Sequence, residues 1–190
     1  MNGVIAAAFF LFTMFFGLLT FALWIRFILH FMHVSSLHPV NQVILKITNP
    51  VVCILTKVIP KNSYPRIDLP CLLTIAIICL IKFICMGPLF FSGIFAIGWL
   101  LTFTIADMIV QPLNLLFYAI LIRVIISWIN PNFRNPLADL LIIITEPIMA
   151  PIRKYIPSVA GFDFTPIIAI LGIKAITIVI GGSLPLQILG

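Results

Sequence analysis

The chain reads as an all-α, polytopic membrane protein, and three observations carry that reading. Of its 190 residues, 63% are hydrophobic and only 8% are charged. The mean hydropathy is +1.28. Runs without any charge recur along the chain, the first from Val4 to Ile25. A soluble domain carries about 25% charged residues, because its surface must be hydrated. Too little charge is present here to cover such a surface, so the apolar excess is left to face lipid.

The first run, continued to Met32, is long enough to cross about 30 Å of hydrocarbon at 1.5 Å per residue. No basic stretch precedes it, and Ala6, Ala7 and Ala8 stand near its start instead of after it. It is therefore expected as a retained helix and not a cleaved signal. A second span is expected from Leu69 to Met86, stopping at Gly87-Pro88. A third runs from Ala106 to Trp128, and a fourth from Phe164 to Ile180, stopping at Gly181-Gly182. Glycine directly after an apolar run is a common helix stop. The stretch Pro88–Ile105 is apolar, but Pro88, Gly93 and Gly98 interrupt it. It is expected as a connector that lies in the interface or re-enters, leaving four crossings instead of five.

An internal repeat organises these elements. A shift of 97 residues places Arg26 on Arg123, Pro39 on Pro136, Thr48 on Thr145 and Pro50 on Pro147. The same shift places Lys57 on Lys154, Ile59 on Ile156 and Pro60 on Pro157. Prolines, arginines and threonines do not align by apolar composition alone, so the match reports duplication. After Pro60 the register slips by two, and Asp68-Leu69-Pro70 answers Asp163-Phe164-Thr165-Pro166. The expected units are 1–87 and 106–190, joined by the connector 88–105.

The basic residues fix an expected orientation. Lys46, Lys57, Lys61 and Arg66 lie between the spans of the first unit, and Arg134, Arg153 and Lys154 between those of the second. Phe83 to Ala106 contains no basic residue, and none precedes Arg26. Basic loops stay on the cytoplasmic side, so both linkers are expected in the cytoplasm and both termini outside. The units are then tandem parallel repeats. Within each linker a proline, Pro50 or Pro147, removes a backbone donor. Two short amphipathic helices are expected on either side of it, each about 15 Å long. These would lie in the headgroup layer or re-enter it.

The second unit carries Arg123, Asn135-Pro136, Thr145-Glu146-Pro147, Pro151-Ile152-Arg153-Lys154, Ile156-Pro157 and Gly161-Phe162-Asp163-Phe164-Thr165-Pro166. This pattern closely resembles the YggT family, also called YlmG, of membrane proteins. The first unit, with Arg26, His38-Pro39, Thr48-Asn49-Pro50 and Lys57-Val58-Ile59-Pro60, resembles a more divergent copy. The resemblance implies a non-enzymatic protein of the bacterial cytoplasmic (inner) membrane. Such proteins are associated with osmotic or extracytoplasmic stress, with cell division and nucleoid placement, and in plastids with cytochrome b maturation. The expected function is an accessory or assembly factor that supports membrane complexes. The alternative is an ion (potassium) or small-solute pathway.

Eight polar positions are candidates for that role. Arg26 and Arg123 stand at equivalent inner helix ends, where they either snorkel to phosphates or clamp their own linker helices. Glu146 is the available carboxylate in the second unit, but the first unit has Asn49 in its place. Asp68 and Asp163 precede spans, as N-caps do; a ligand or proton site is the other reading. Lys82, Asp107 and Lys174 fall within apolar spans, where charge is expensive and faces protein or water. They form either a buried pair with one spare lysine or the lining of a polar path.

Several function classes are excluded or disfavoured. The net charge of +6 is scattered, which speaks for anionic lipid headgroups and against nucleic acid. Partners are expected to be the bilayer, other membrane proteins or a second copy. Cys53, Cys71, Cys79 and Cys85 form no C-x-x-C pair and are expected to be packing residues. His30 and His33 share a helical face but have no further ligand nearby, so no metal or cofactor is expected. Trp24 and Trp128 are expected as interface anchors. The five acids form no catalytic pair.

Overall fold

The computed structural model describes residues 3–57, 67–91, 93–130, 135–155 and 163–182. Six helices are described: α1 (Gly3–Phe31), α2 (Pro39–Thr56), α3 (Leu69–Phe90), α4 (Ile97–Ile129), α5 (Pro136–Tyr155) and α6 (Thr165–Gly182). Four of them, α1, α3, α4 and α6, are long and apolar enough to cross a membrane. Among the expected features, Lys61, Arg66, Arg134, Ile59, Pro60, Ile156, Pro157, Gly161 and Phe162 lie outside the described residues.

The repeat is visible as two α-α-α units, α1–α3 and α4–α6, in the same order and direction. Within each unit the linker helix packs on both spans, and α2 also touches α5. The two linker helices therefore share one end of the bundle. One core unites the units: Leu23, Leu29, Val52, Ile75 and Cys79 of the first pack with Leu115, Ala119, Leu140 and Ile144 of the second. Buried threonines satisfy their hydroxyls locally. Thr20, Thr74 and Thr104 donate to Phe16 O, Pro70 O and Leu100 O at 2.8, 2.6 and 2.8 Å. A hydroxyl without such a partner would be costly in an apolar interior.

Three expectations about elements need correction. The two short helices expected in each linker are one continuous helix, with Pro50 inside α2 and Pro147 and Pro151 inside α5. A proline costs one backbone hydrogen bond and a local clash, and here tertiary contacts on both sides of it hold the helix together. Arg123 touches Thr145 before Pro147 and Met149 after it. Second, most of the connector 88–105 belongs to spans. Pro88–Phe90 completes α3, because Phe91 N still donates to Gly87 O (3.0 Å) and the Phe90 ring packs on Phe9 at 5.1 Å. Ile97–Ile105 begins α4, where Phe103 stacks on Trp99 and meets Phe83 at 5.6 Å. Third, Trp24 is buried in the core against Phe27, so of the two expected anchors Trp128, 76% exposed, is the one placed for that role. Of the cysteines, Cys71 and Cys79 are buried, but Cys53 is exposed.

The α3–α4 turn depends on Gly87. A Cβ there would sit 2.6 Å from the Gly93 carbonyl oxygen, a backbone atom that cannot rotate away. Gly87→Ala is expected to destabilise the fold by about 1–3 kcal/mol through overpacking. Gly98→Ala meets nothing within 4 Å and should be neutral or slightly stabilising. Denaturant unfolding in detergent micelles separates the two; equal midpoints would mean that the turn is not close-packed.

Candidate functional site

The polar residues collect at two levels, and the first is the end where α2 and α5 lie. Arg26 leaves α1 and donates from Nη1 to Thr48 Oγ1 (3.0 Å) and Asn49 Oδ1 (2.8 Å) of α2. Its Nε lies 3.5 Å from Asp68 Oδ2 at the head of α3, with the two side chains 11% and 9% exposed. Asp68 caps α3 by accepting from Cys71 N at 3.2 Å. One guanidinium thus ties all three helices of the unit. It faces inward, as in the clamping alternative.

Arg123 repeats this arrangement with different wiring. It donates to Thr145 Oγ1 at 2.7 Å and pairs with Glu146 at 3.0 Å. Among the described residues it makes no hydrogen bond or ion pair with α6. Arg153 of α5 makes the link instead, pairing with Glu146 at 3.0 Å and with Asp163 at 3.3 Å. Asp163 also accepts from Thr165 N at 2.9 Å at the start of α6. The first unit has Thr56 where the second has Arg153, and there Arg26 meets the aspartate itself. The shared element is the Arg–Thr pair. Each threonine accepts from arginine and donates to a carbonyl four residues back, Ile44 O or Leu141 O, both at 2.7 Å.

Beside each arginine is a cavity lined by the same repeat positions. In the first unit it measures about 300 Å³ and is lined by Arg26, His30, His33, Asn41, Leu45 and Asp68, among others. In the second it measures about 200 Å³, with Arg123, Ser127, Asn130, Ala138 and Ile142 at the matching places. A larger cavity of about 800 Å³ opens on the other side of Arg123 towards Arg153, Asp163 and Phe164. Among the described residues, no group of three His, Cys, Asp or Glu side chains could hold a metal ion.

Two carboxyls at this level, those of Glu146 and Asp163, are held low. Burial opposes ionisation of Glu146, but hydrogen bonds and charge from Arg123 and Arg153 outweigh it and hold its carboxyl below the usual range. Burial likewise opposes ionisation of Asp163, and Thr165 and Arg153 outweigh it. A carboxylate with a lowered folded pKa stabilises above the ordinary carboxylate range and loses that contribution as pH falls through the folded value. Acidification from neutral through that range should therefore loosen the second unit. The acid slope of the unfolding midpoint should shrink in Glu146→Gln/Asp163→Asn; an unchanged slope would show that the pairs are fully solvated.

The second level lies within the spans. Lys82 of α3 and Asp107 of α4 form a salt bridge at 2.9 Å, with side chains 5% and 0% exposed. Asp107 also accepts from Gln111 at 3.1 Å. Lys174 of α6 is not part of that pair. Its Nζ lies 3.5 Å from Asn114 Oδ1 and 4.5 Å from the Phe117 ring centre. A lysine at the centre of a spanning helix costs about 2.5–3.5 kcal/mol on insertion scales. Sequence reasoning identified the charged residues here but missed Gln111 and Asn114, uncharged residues that do not interrupt an apolar run. It also recorded Thr48 and Thr145 only as identities, although identity at a polar position was the available signal. In the sequence Arg153 stands out only as linker charge.

Four spans in two parallel units, each fastened by an arginine at the same end, define a duplicated helical membrane protein. The comparisons with known proteins agree: the CCB3/YggT family model matches residues 5–89 and 99–184, one segment for each unit. The chain belongs to the CCB3/YggT family. It is 33% identical over 150 residues to an uncharacterized protein of Vibrio alginolyticus encoded in the proC 3' region, covering 76% of this chain and 77% of that one. It is 32% identical over 161 residues to an uncharacterized protein of Pseudomonas aeruginosa, covering 84% and 81%. Identity with the uncharacterized protein YggT of Escherichia coli K12 is 30% over 156 residues, covering 81% and 78%. No solved structure matches.

Proposed function

We propose that the protein is a non-enzymatic accessory of the bacterial cytoplasmic membrane that supports the assembly or stability of other membrane complexes, with osmotic or extracytoplasmic stress and cell division as the settings. The observation that carries this is the doubled arginine fastening. Both linker helices are held rigidly at one end of the bundle and display Val43, Ile47, Ile54, Leu137, Ile142 and Ile143 outward. A rigid amphipathic platform beside basic residues suits contact with a neighbour or with anionic lipid.

The basic linkers are placed in the cytoplasm and both termini outside, by the positive-inside argument. Reporter fusions at residue 94 and after α6 should both report the outer side; a cytoplasmic signal from either would reverse this. The functional test is deletion of the gene, followed by quantification of intact membrane complexes and of growth under osmotic shock and through division. The wild-type gene should restore the deficit and Arg26→Gln/Arg123→Gln should not. Intact complexes and normal growth throughout would refute the reading.

A second reading, an ion or solute pathway, is favoured by the polar row Lys82, Asp107, Gln111, Asn114 and Lys174. Its two lysines outnumber its one carboxylate, so its field repels potassium. Purified protein in vesicles that carries no ion or solute flux across a range of salts would remove it.

A further inference from the structure

The row on α4 has a consequence for partners. Asp107, Gln111 and Asn114 recur at i, i+4 and i+7, so they share one helical face, and Tyr118 continues it one turn further. At one end of the row, Asp107 is sealed by Lys82 of α3. At the other, Lys174 of α6 reaches Asn114. Between these points the covering is incomplete. Gln111, Asn114 and Lys174 are half-buried, and Tyr118 is 51% exposed.

This face lies deep in the spans. Lys174 follows Asp163 by about 16 Å of helix, and Asn114 precedes Arg123 by about 14 Å. Two independent helices therefore place it near the middle of a bilayer about 30 Å thick. A lysine and two amides at that depth require polar company. The chain does not supply the counter-charge. Its five acids are all among the described residues. Asp68 pairs with Arg26, Asp107 with Lys82, and Glu146 and Asp163 with Arg123 and Arg153. Asp139 is exposed in the first turn of α5. A second copy of the chain has the same acids, so it offers no carboxylate at this depth either.

We propose that the α4–α6 face formed by Gln111, Asn114, Tyr118 and Lys174 docks a spanning helix of another membrane protein that carries a carboxylate near mid-bilayer. The inference rests on the accessory reading and names the chemistry of its partner. Lys174 supplies the charge, the amide N–H groups donate to the other carboxylate oxygen, and Tyr118 packs along the docked helix.

The test uses the full chain in vesicles with a synthetic leucine-rich spanning helix bearing one central Glu, and energy transfer between labels as the readout. The Glu helix should associate at least tenfold more tightly than the same helix with Leu at that position. Lys174→Met should abolish the preference, and Lys174→Glu should transfer it to a helix bearing central Lys. This charge exchange keeps the test decisive even if one variant is less stable. Equal binding of Glu and Leu helices, or an unchanged preference in Lys174→Met, overturns the proposal. Self-association of labelled copies lost in Lys174→Met would assign the face to a second copy and also overturn it. Chloride flux lost in Lys174→Met would assign it to an anion path, with the same result. If the synthetic helix shows no preference while gene deletion still depletes membrane complexes, this inference falls and the accessory function stands.

Discussion

Asp107→Leu is expected to cost about 3–5 kcal/mol of stability, because it removes one partner of a buried pair and leaves the other charged. The carboxylate is fully buried and lies 2.9 Å from Lys82 Nζ, with Gln111 on its second oxygen. Once it is gone, the ammonium keeps, among the described residues, the Phe83 ring 4.8 Å away, and a cation–π contact does not replace an ion pair. Lys82→Met should cost a similar amount. The double variant Lys82→Met/Asp107→Leu should return close to wild type, since replacing a whole buried pair with apolar groups is often neutral or stabilising. Denaturant unfolding in micelles of all four proteins gives the coupling directly. Additive losses would show that water reaches the pair. The pair joins α3 to α4 and therefore unit to unit, so the uncompensated charge in either single variant should weaken the contact between the halves first.

How much of this was legible in the sequence depends on the kind of information each feature uses. The four spans could be read because a charge-free run is a one-dimensional property, and lipid imposes it directly. Their ends were less legible. Pro88 looked like a stop, but the aromatic packing of Phe9 on Phe90 outweighs the local cost and carries α3 one turn further. The prolines of α2 and α5 misled for the same reason. The rule that proline breaks a helix concerns the backbone alone, whereas Arg26 and Arg123 act from another helix. At the arginine level the repeat exposed the right residues, Arg26 with Thr48 and Arg123 with Thr145. It could not give the wiring, because Asn49 against Glu146 and Thr56 against Arg153 are differences, and alignment does not say how differences compensate. The row on α4 was half visible. Lysines and an aspartate stand out in an apolar span, while Gln111 and Asn114 acquire meaning only when i, i+4 and i+7 are projected on one face.

That difference in wiring leads to the second large effect, an asymmetry between units that look alike in sequence. Arg26→Gln removes in one step the donor to Thr48 and Asn49 and the counter-charge of Asp68. Asp68 is nearly buried, and among the described residues its remaining support is the Cys71 amide. An uncompensated carboxylate in that position is expected to cost about 3–5 kcal/mol. Arg123→Gln removes the Thr145 and Met149 contacts, but Glu146 and Asp163 both keep Arg153. Those side chains are about 40% exposed, so solvent screens what is lost, and the expected cost is nearer 1–2 kcal/mol, on the scale of a hydrogen bond to a charged group. Amide hydrogen exchange should accordingly rise along α2 in Arg26→Gln far more than along α5 in Arg123→Gln. Installing the second unit's wiring in the first, as Thr56→Arg in the Arg26→Gln background, should recover part of the loss, since position 56 matches Arg153 in the repeat. Equal protection loss in the two units would mean that the Asp68 contact carries no weight and that each arginine acts through its threonine alone.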